Sequence, residues 1–394
     1  LQLNGHLNKQ ALARSLARLV ERHESLRSQF VAPDGEPYVK ISHDPLVPSW
    51  HDLTQQDESA FEAWLHEEAV KPFALDRELP IRAAVVNRGA DCHVLLLVVH
   101  HLVADGWSLG VMLGELGDLY QAFANDCDDP LPALPVQYLD YALWQRQWAS
   151  GPLLQRQADY WRSQLADAPA VSSLPYDRPR PERQHAAGDS HEIHIAADLS
   201  EALKAVCRRH GLTPYMLFTA AWGLLLGRLA GQQEVVIGSP VANRQHPQVQ
   251  GLVGMVVNSL ALRLDLSGQP DVTTLLARAK ATLLQAQAHQ DLPFEQVVEV
   301  LRPARSLAYT PVYQVSLDWD ASAGHQALRM GDLKVCALGG QAQVAKFDLS
   351  LSLGEGAEGF AGGIVYATAL FDRATIERFA AYFQQILRSF AAGD

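Results

Sequence analysis

Val94-Leu95-Leu96-Leu97-Val98-Val99-His100-His101-Leu102-Val103-Ala104-Asp105-Gly106-Trp107-Ser108 decides how this chain folds. The first six residues are apolar at every position, the pattern of a strand covered on both faces. Beyond the turn, Leu109, Met112, Leu113, Leu116, Tyr120 and Phe123 recur at helical spacing. The reading is strand, turn, helix, with two imidazoles and one carboxylate delivered to the strand's end.

An imidazole of pKa about 6.5 can take or give a proton at neutral pH. Neighbouring strand residues point to opposite faces, so only one of His100 and His101 faces a given cleft. His101 stands nearer the turn and is the candidate base; His100 reads as packed support. Asp105 is either a second catalytic group or an anchor for the loop. Gly106 permits close backbone approach and unusual dihedrals, and the amides after it begin a helix that could hold an oxyanion. Two histidines at a strand end also read as a satisfied structural pair. A metal site would need further ligands, and His93, farther back on the same strand, is a poor third one. A serine triad is disfavoured because no Gly-x-Ser-x-Gly elbow occurs.

At 394 residues the chain exceeds a typical single core, which predicts two domains. A formal net charge of -12 without a basic cluster argues against nucleic acid as a partner. Cys92, Cys127, Cys207 and Cys336 are scattered, as reduced cytoplasmic thiols would be. No secretory signal and no bilayer-length apolar run is present, so no membrane partner is expected.

Leu1 to Gly5 reads as a strand entered midway, so the natural beginning is expected to precede it. Leu12, Leu16, Leu19, Val20 and His23 share a helix face that runs into Glu21-Arg22-His23-Glu24-Ser25-Leu26-Arg27-Ser28-Gln29-Phe30, which offers two cations near a strand. These arginines also read as solvated helix-end residues. Tyr138, Tyr141 and Trp144 stand at helical spacing, as packing residues would. The proline-rich 174–181 stretch is the candidate linker. Beyond it, Thr213-Pro214 caps a helix that Gly231 closes, Glu234 to Arg244 is a strand running into a loop, and 347–353 with 359–367 reads as a hairpin. Ile376 to Phe390 is a closing amphipathic helix.

The nonapeptide His100 to Ser108 resembles the His-His-x-x-x-Asp-Gly signature of the condensation domains of nonribosomal peptide synthetases, within the chloramphenicol acetyltransferase-like superfamily. The 21–30 run, 138–145, 234–263, 289–295 and 305–315 resemble further motifs of that family in order, so the likeness spans almost the whole chain. It implies an α/β fold of two acetyltransferase-like lobes in a V-shaped pseudo-dimer with a central tunnel, here 1–170 carrying the signature and 171–394 lacking it. It implies peptide-bond formation between a donor thioester and the α-amine of an acceptor aminoacyl thioester. Both would be tethered by phosphopantetheine to donor and acceptor peptidyl carrier proteins, beside an adenylation domain, with no intrinsic cofactor and no metal. His101 would position the amine and act as base, supported by His100. Asp105 would hold the loop through a salt bridge to Arg22 or, second, Arg27, and the Gly106 amide would help the oxyanion. Trp107, Ser108, Asn258 and Ser259 are candidates for the tunnel wall, although Asn258 and Ser259 equally read as a pair hydrogen-bonded in the core. The 105–111 run leans towards an L-configured donor. An epimerisation domain, an O-acyltransferase and a noncatalytic recruitment domain are the competing readings.

Overall fold

The chain opens with β1 (Gln2–Asn4), α1 (Lys9–Arg22), β2 (Ser28–Val31), β3 (Tyr38–Ile41), β4 (Ser49–Asp52), α2 (Glu58–Val70), β5 (Ile81–Gly89) and β6 (Cys92–Val99). Then come α3 (Gly106–Ala124), α4 (Tyr138–Trp148), α5 (Pro152–Gln164), β7 (Gly188–Ile195), α6 (Ala197–His210), α7 (Pro214–Ala230) and β8 (Glu234–Val241). After these lie α8 (Pro247–Gln250), β9 (Asn258–Asp265), α9 (Val272–Ala288), α10 (Phe294–Leu301) and β10 (Val315–Asp320). The last elements are β11 (Arg329–Met330), β12 (Leu333–Cys336), β13 (Leu349–Gly356), β14 (Gly359–Ala367) and α11 (Arg373–Ala392). This computed structural model describes residues 1–148, 151–320, 328–338, 344–356 and 358–393.

Local chemistry sets most of these boundaries. Asn8 Oδ1 accepts the Ala11 N–H and caps α1, while Thr213 and Asp271 cap α7 and α9 in the same way. Gly211 and Gly231 close α6 and α7 in the left-handed conformation that glycine adopts without strain.

The described residues form two compact units. The first comprises Leu1–Trp148 together with Arg244–Val257 and residues 328–338; the remainder forms the second. The contiguous lobes 1–170 and 171–394 are therefore corrected in two respects. The boundary falls at Trp148, and the first unit takes two later segments. One of them places β12 beside β1 in register Gln2–Cys336, and the other carries Arg244 to Asp105. Nor is 174–181 a linker: Arg180 pairs with the buried Asp348, and Asp177 accepts the Asp372 N–H at the start of α11, all within the second unit.

In the first unit the sheet order is β11-β12-β1-β6-β5-β4, antiparallel except for β4 with β5. One face packs on α1 and α3 through Leu12, Leu16, Leu95, Leu116 and Leu119. Phe61 of α2 covers Val86 and Val94 on the other face. That cover stops short, so Leu96 and Val98 are only half-buried, and a cleft of about 190 Å³ opens over them. The expected strand covered on both faces is thus covered over its first half alone. The second sheet runs β7-β14-β13-β10-β8-β9, with 349–356 and 359–367 paired antiparallel. Among the described residues no helix is long and apolar enough to cross a membrane.

Candidate active site

Where β6 ends, the backbone turns tightly. The Val103 N–H donates to the His100 carbonyl at 3.1 Å, and the Leu102 N–H donates to His100 Nδ1 at 3.1 Å. The His100 ring stands edge-on to Phe73, with centroids 5.8 Å apart. His100 is thereby committed to closing the turn. His101 is exposed, and its Nδ1 lies 2.7 Å from the Ala104 carbonyl oxygen. A carbonyl only accepts, so the bond fixes the proton on Nδ1 and leaves the lone pair on Nε2. An oriented, solvent-reachable Nε2 is the arrangement a general base needs.

Asp105 is only 3% exposed and serves as the N-cap of α3, accepting the Ser108 N–H at 2.8 Å. Its second oxygen accepts the Val256 and Val257 N–H groups, each at 3.1 Å. Its cation is Arg244, whose Nη2 stands 3.0 and 3.1 Å from the two carboxylate oxygens. Arg244 Nη1 donates to the Val249 and Leu252 carbonyls at 2.8 and 2.7 Å, so the guanidinium also folds its own loop. The pairing with Arg22 or Arg27 is corrected. Arg22 binds Glu115 at 3.0 Å and the Pro132 carbonyl, and His23 joins it on Glu115 at 2.7 Å. Glu115 stands ten positions past Asp105 on α3, about 15 Å along the axis, which sets the end of α1 too far down the helix to reach the turn. Arg27 instead donates to the Val20, Glu21 and Ser42 carbonyls, closing the end of α1.

Gly106 is the first residue of α3; its φ is not in the left-handed region. A Cβ there would meet no atom within 4 Å. The turn does not require glycine for its backbone, then; glycine leaves open space beside the first amides of the helix. Those amides lie ahead of the Ser108 N–H that Asp105 caps, with the positive end of the helix dipole behind them.

Trp107 is half exposed and donates its indole N–H to the Gln250 carbonyl at 2.8 Å. Ser108 is fully buried, with Oγ 2.7 Å from Asp105 Oδ1 and accepting the Gly254 N–H at 3.1 Å. It belongs to the anchor and is corrected as a wall residue. Asn258 is likewise spent on the fold. Its Nδ2 donates to the Gln290 and Leu292 carbonyls at 2.7 and 2.8 Å, and its Oδ1 accepts the Ser259 and Phe294 N–H groups. That binds β9 to the 289–295 run, the core-bonded reading of this residue. Ser259 is half-buried, with the Tyr313 hydroxyl beside it.

Sequence reasoning missed Arg244 and Glu115. The signal for Arg244 was a cation directly after Asn243, a residue type suited to the left-handed turn that Asn243 makes at φ 54°. Tyr138 clamps the same loop. Its ring fills the space beside Gly254, its hydroxyl donates to the Met255 carbonyl at 3.1 Å, and burial pushes its pKa up, with the Asp105 charge adding to the rise.

The condensation-domain family model matches residues 1–393. Malpinin synthetase of Mortierella alpina is 43% identical over the whole chain, which spans 5% of that protein. Malpibaldin synthetase of the same fungus is 45% identical over 99% of the chain, or 7% of its own length. The chain thus corresponds to a small part of these relatives. Among solved structures, the X-domain from teicoplanin biosynthesis is similar at a TM-score of 0.90 and 27% identity, covering 100% of this chain and 90% of that one.

Proposed function

The chain belongs to the condensation-domain family of nonribosomal peptide synthetases, and from that premise we propose that it joins a donor thioester to the α-amine of an acceptor aminoacyl thioester, both carried on phosphopantetheine arms of carrier proteins. One observation carries the reading: the exposed Nε2 of His101, made the basic nitrogen by the Nδ1 bond to the Ala104 carbonyl.

The acceptor nitrogen attacks the thioester carbonyl. A C–N bond forms, the C–S bond breaks, and the amine proton passes through His101 Nε2 to the departing thiolate. An α-amine has a pKa of about 7.7–8, so freeing it at neutral pH costs only about 1 kcal/mol. Holding two tethered reactants in line is worth roughly 7–11 kcal/mol, against about 10²–10⁴-fold for a general base. Alignment therefore dominates, and His101 orients the amine and accepts its proton as the tetrahedral intermediate forms. In this reading the first amides of α3, at Gly106, meet the oxyanion. Asp105 stays outside the chemistry, because its oxygens are fully occupied in holding the turn.

A noncatalytic recruitment domain is the second reading, since the similar solved structures include the X-domain from teicoplanin biosynthesis, alone and in complex with OxyB. The intact His-His-x-x-x-Asp-Gly run favours catalysis. Donor- and acceptor-loaded carriers mixed with the chain, followed by intact-mass spectrometry, should yield a dipeptidyl acceptor carrier. His101→Ala should keep the fold and lose about 10²–10⁴ in rate. Carrier binding without product would establish recruitment, and inverted stereochemistry without extension would establish epimerisation.

A further inference from the structure

The two imidazoles at the end of β6 are held in opposite states. His101 donates its Nδ1–H to the Ala104 carbonyl. His100 Nδ1 instead receives the Leu102 N–H at 3.1 Å. An amide N–H only donates, so His100 Nδ1 presents its lone pair and the ring's proton sits on Nε2. Neighbouring residues thus carry complementary tautomers, each imposed by the backbone of the same turn.

The bond made by His100 acts on His101. The Leu102 N–H belongs to the peptide plane that follows His101, and a planar peptide turns as one unit. Holding that N–H therefore fixes ψ of His101. The Val103 N–H closes on the His100 carbonyl, and the His100 N–H donates to the Pro80 carbonyl at 2.9 Å. The ring's own orientation is set by Phe73, which stands edge-on to it. A side chain that takes the N–H two residues ahead makes an Asx-type turn, with Nδ1 in the place of an asparagine oxygen.

Protonation ends this arrangement. A second proton on His100 falls on Nδ1 and sets donor against donor. The segments beside the ring carry their own charges. Arg82 of β5 lies over Phe73 at 3.9 Å and donates to the Lys71 and Pro72 carbonyls. At the end of α2, Lys71 pairs with Glu68. On the turn itself stand His101 and Asp105, the latter paired with Arg244. Among the described residues it is the Leu102 amide, not one of these charges, that meets His100 Nδ1.

We infer that His100 is a positioning residue that works only as the neutral imidazole with Nδ1 unprotonated, so that both histidines must shed a proton before the turn is competent. Its effect on turnover rests on the condensation reading; the tautomer does not.

Substitutions at His100 and one spectrum test this. Asparagine can keep the Asx-type bond and does not titrate, alanine lacks the acceptor, and glutamine carries its amide one carbon farther out. His100→Ala and His100→Gln should lower kcat for dipeptide formation on loaded carriers about 2–10-fold, the worth of one neutral hydrogen bond, with KM little changed. His100→Asn should recover most of that loss. On the acid side, log kcat should fall with a slope one unit steeper in the wild type than in His100→Asn. Both proteins keep His93, so its titration cancels. Equal slopes, or an asparagine variant no better than glutamine, overturn the assignment. Nitrogen NMR of the imidazoles needs no turnover. It should show the His100 proton on Nε2 and the His101 proton on Nδ1, and the Leu102 amide should lose exchange protection as His100 is protonated. If no carrier is extended, that result upholds the lock at the turn while peptide-bond formation falls. A proton on Nδ1 of neutral His100 refutes the lock whatever the activity.

Discussion

Truncating Arg244 to alanine tests the anchor under the turn from His100 to Asp105. The Asp105–Arg244 pair is almost sealed from water, with side chains 2% and 1% exposed. Removing one partner strands the other charge, which typically costs about 3–5 kcal/mol. The lost donors to the Val249 and Leu252 carbonyls place the result at the upper end. For a unit of this size about 2–4 °C of melting temperature is lost per kcal/mol, so Arg244→Ala should melt roughly 6–20 °C lower. Asp105→Ala should lose a similar amount, since it also removes the N-cap of α3 and the acceptor of two backbone amides. The double variant should lose clearly less than the sum, because neither charge is then left unpaired. Thermal melts of all four proteins give the coupling energy, and exchange protection of the Val256 and Val257 amides localises it. Added salt should barely change the difference, since buried pairs are weakly screened. Strict additivity, or an Arg244→Ala protein melting within about 2 °C of wild type, would refute the reasoning. So would an Asp105→Ala protein that melts normally yet has lost turnover, since Asp105 would then act in the chemistry.

His100→Ala should lower stability by about 1 kcal/mol through the lost Leu102 bond and Phe73 contact, read as a melting shift larger than that of His101→Ala. Gly254→Ala should destabilise the 244–257 segment by about 1–3 kcal/mol, because the new methyl meets the Tyr138 ring; Tyr138→Ala should relieve that clash in the double variant. His93 is buried with Nδ1 unpartnered, and desolvation, with Lys9 adding to it, holds its pKa below the ordinary value. The unfolded chain therefore binds the proton more readily, and stability present at neutral pH is lost as pH falls through about 6.5 and on towards the folded value. Urea titrations between pH 7.5 and 5 should show this loss, and His93→Gln should flatten it.

Local chemistry made much of the architecture legible. The helix spacing from Leu109 to Phe123, the Thr213-Pro214 start and Gly231 end of α7, and the hairpin of β13 and β14 each follow from residues close in sequence. The position of His101 was legible for the same reason, since a strand end and the next turn fix it. Domain membership was not. Val94 to Val99 do not reveal where α2 stops covering them, and nothing in the proline-rich 174–181 run announces that Arg180 will find Asp348.

The partner of Asp105 shows why such a contact resists reading from sequence. A buried carboxylate needs a cation, and the chain offers 32 lysines and arginines. The family resemblance pointed to Arg22, and its helix does pack on α3, the very helix that Asp105 caps. Yet packing two helices fixes which turns meet, and the end of α1 meets the turn bearing Glu115. The deciding information lies in the loop after β8. There Asn243 reverses the backbone, Val249 and Leu252 turn their carbonyls onto Arg244, and Gly254 admits the Tyr138 ring. These four conditions are individually unremarkable in the sequence and act only together. Arg22 and Arg244 thus carry different loads: Arg22 ties α1 to α3, whereas Arg244 holds the carboxylate at the end of the histidine turn. An exchange of the two roles by mutation would demand a carboxylate moved ten positions along α3, which is why neither arginine can substitute for the other.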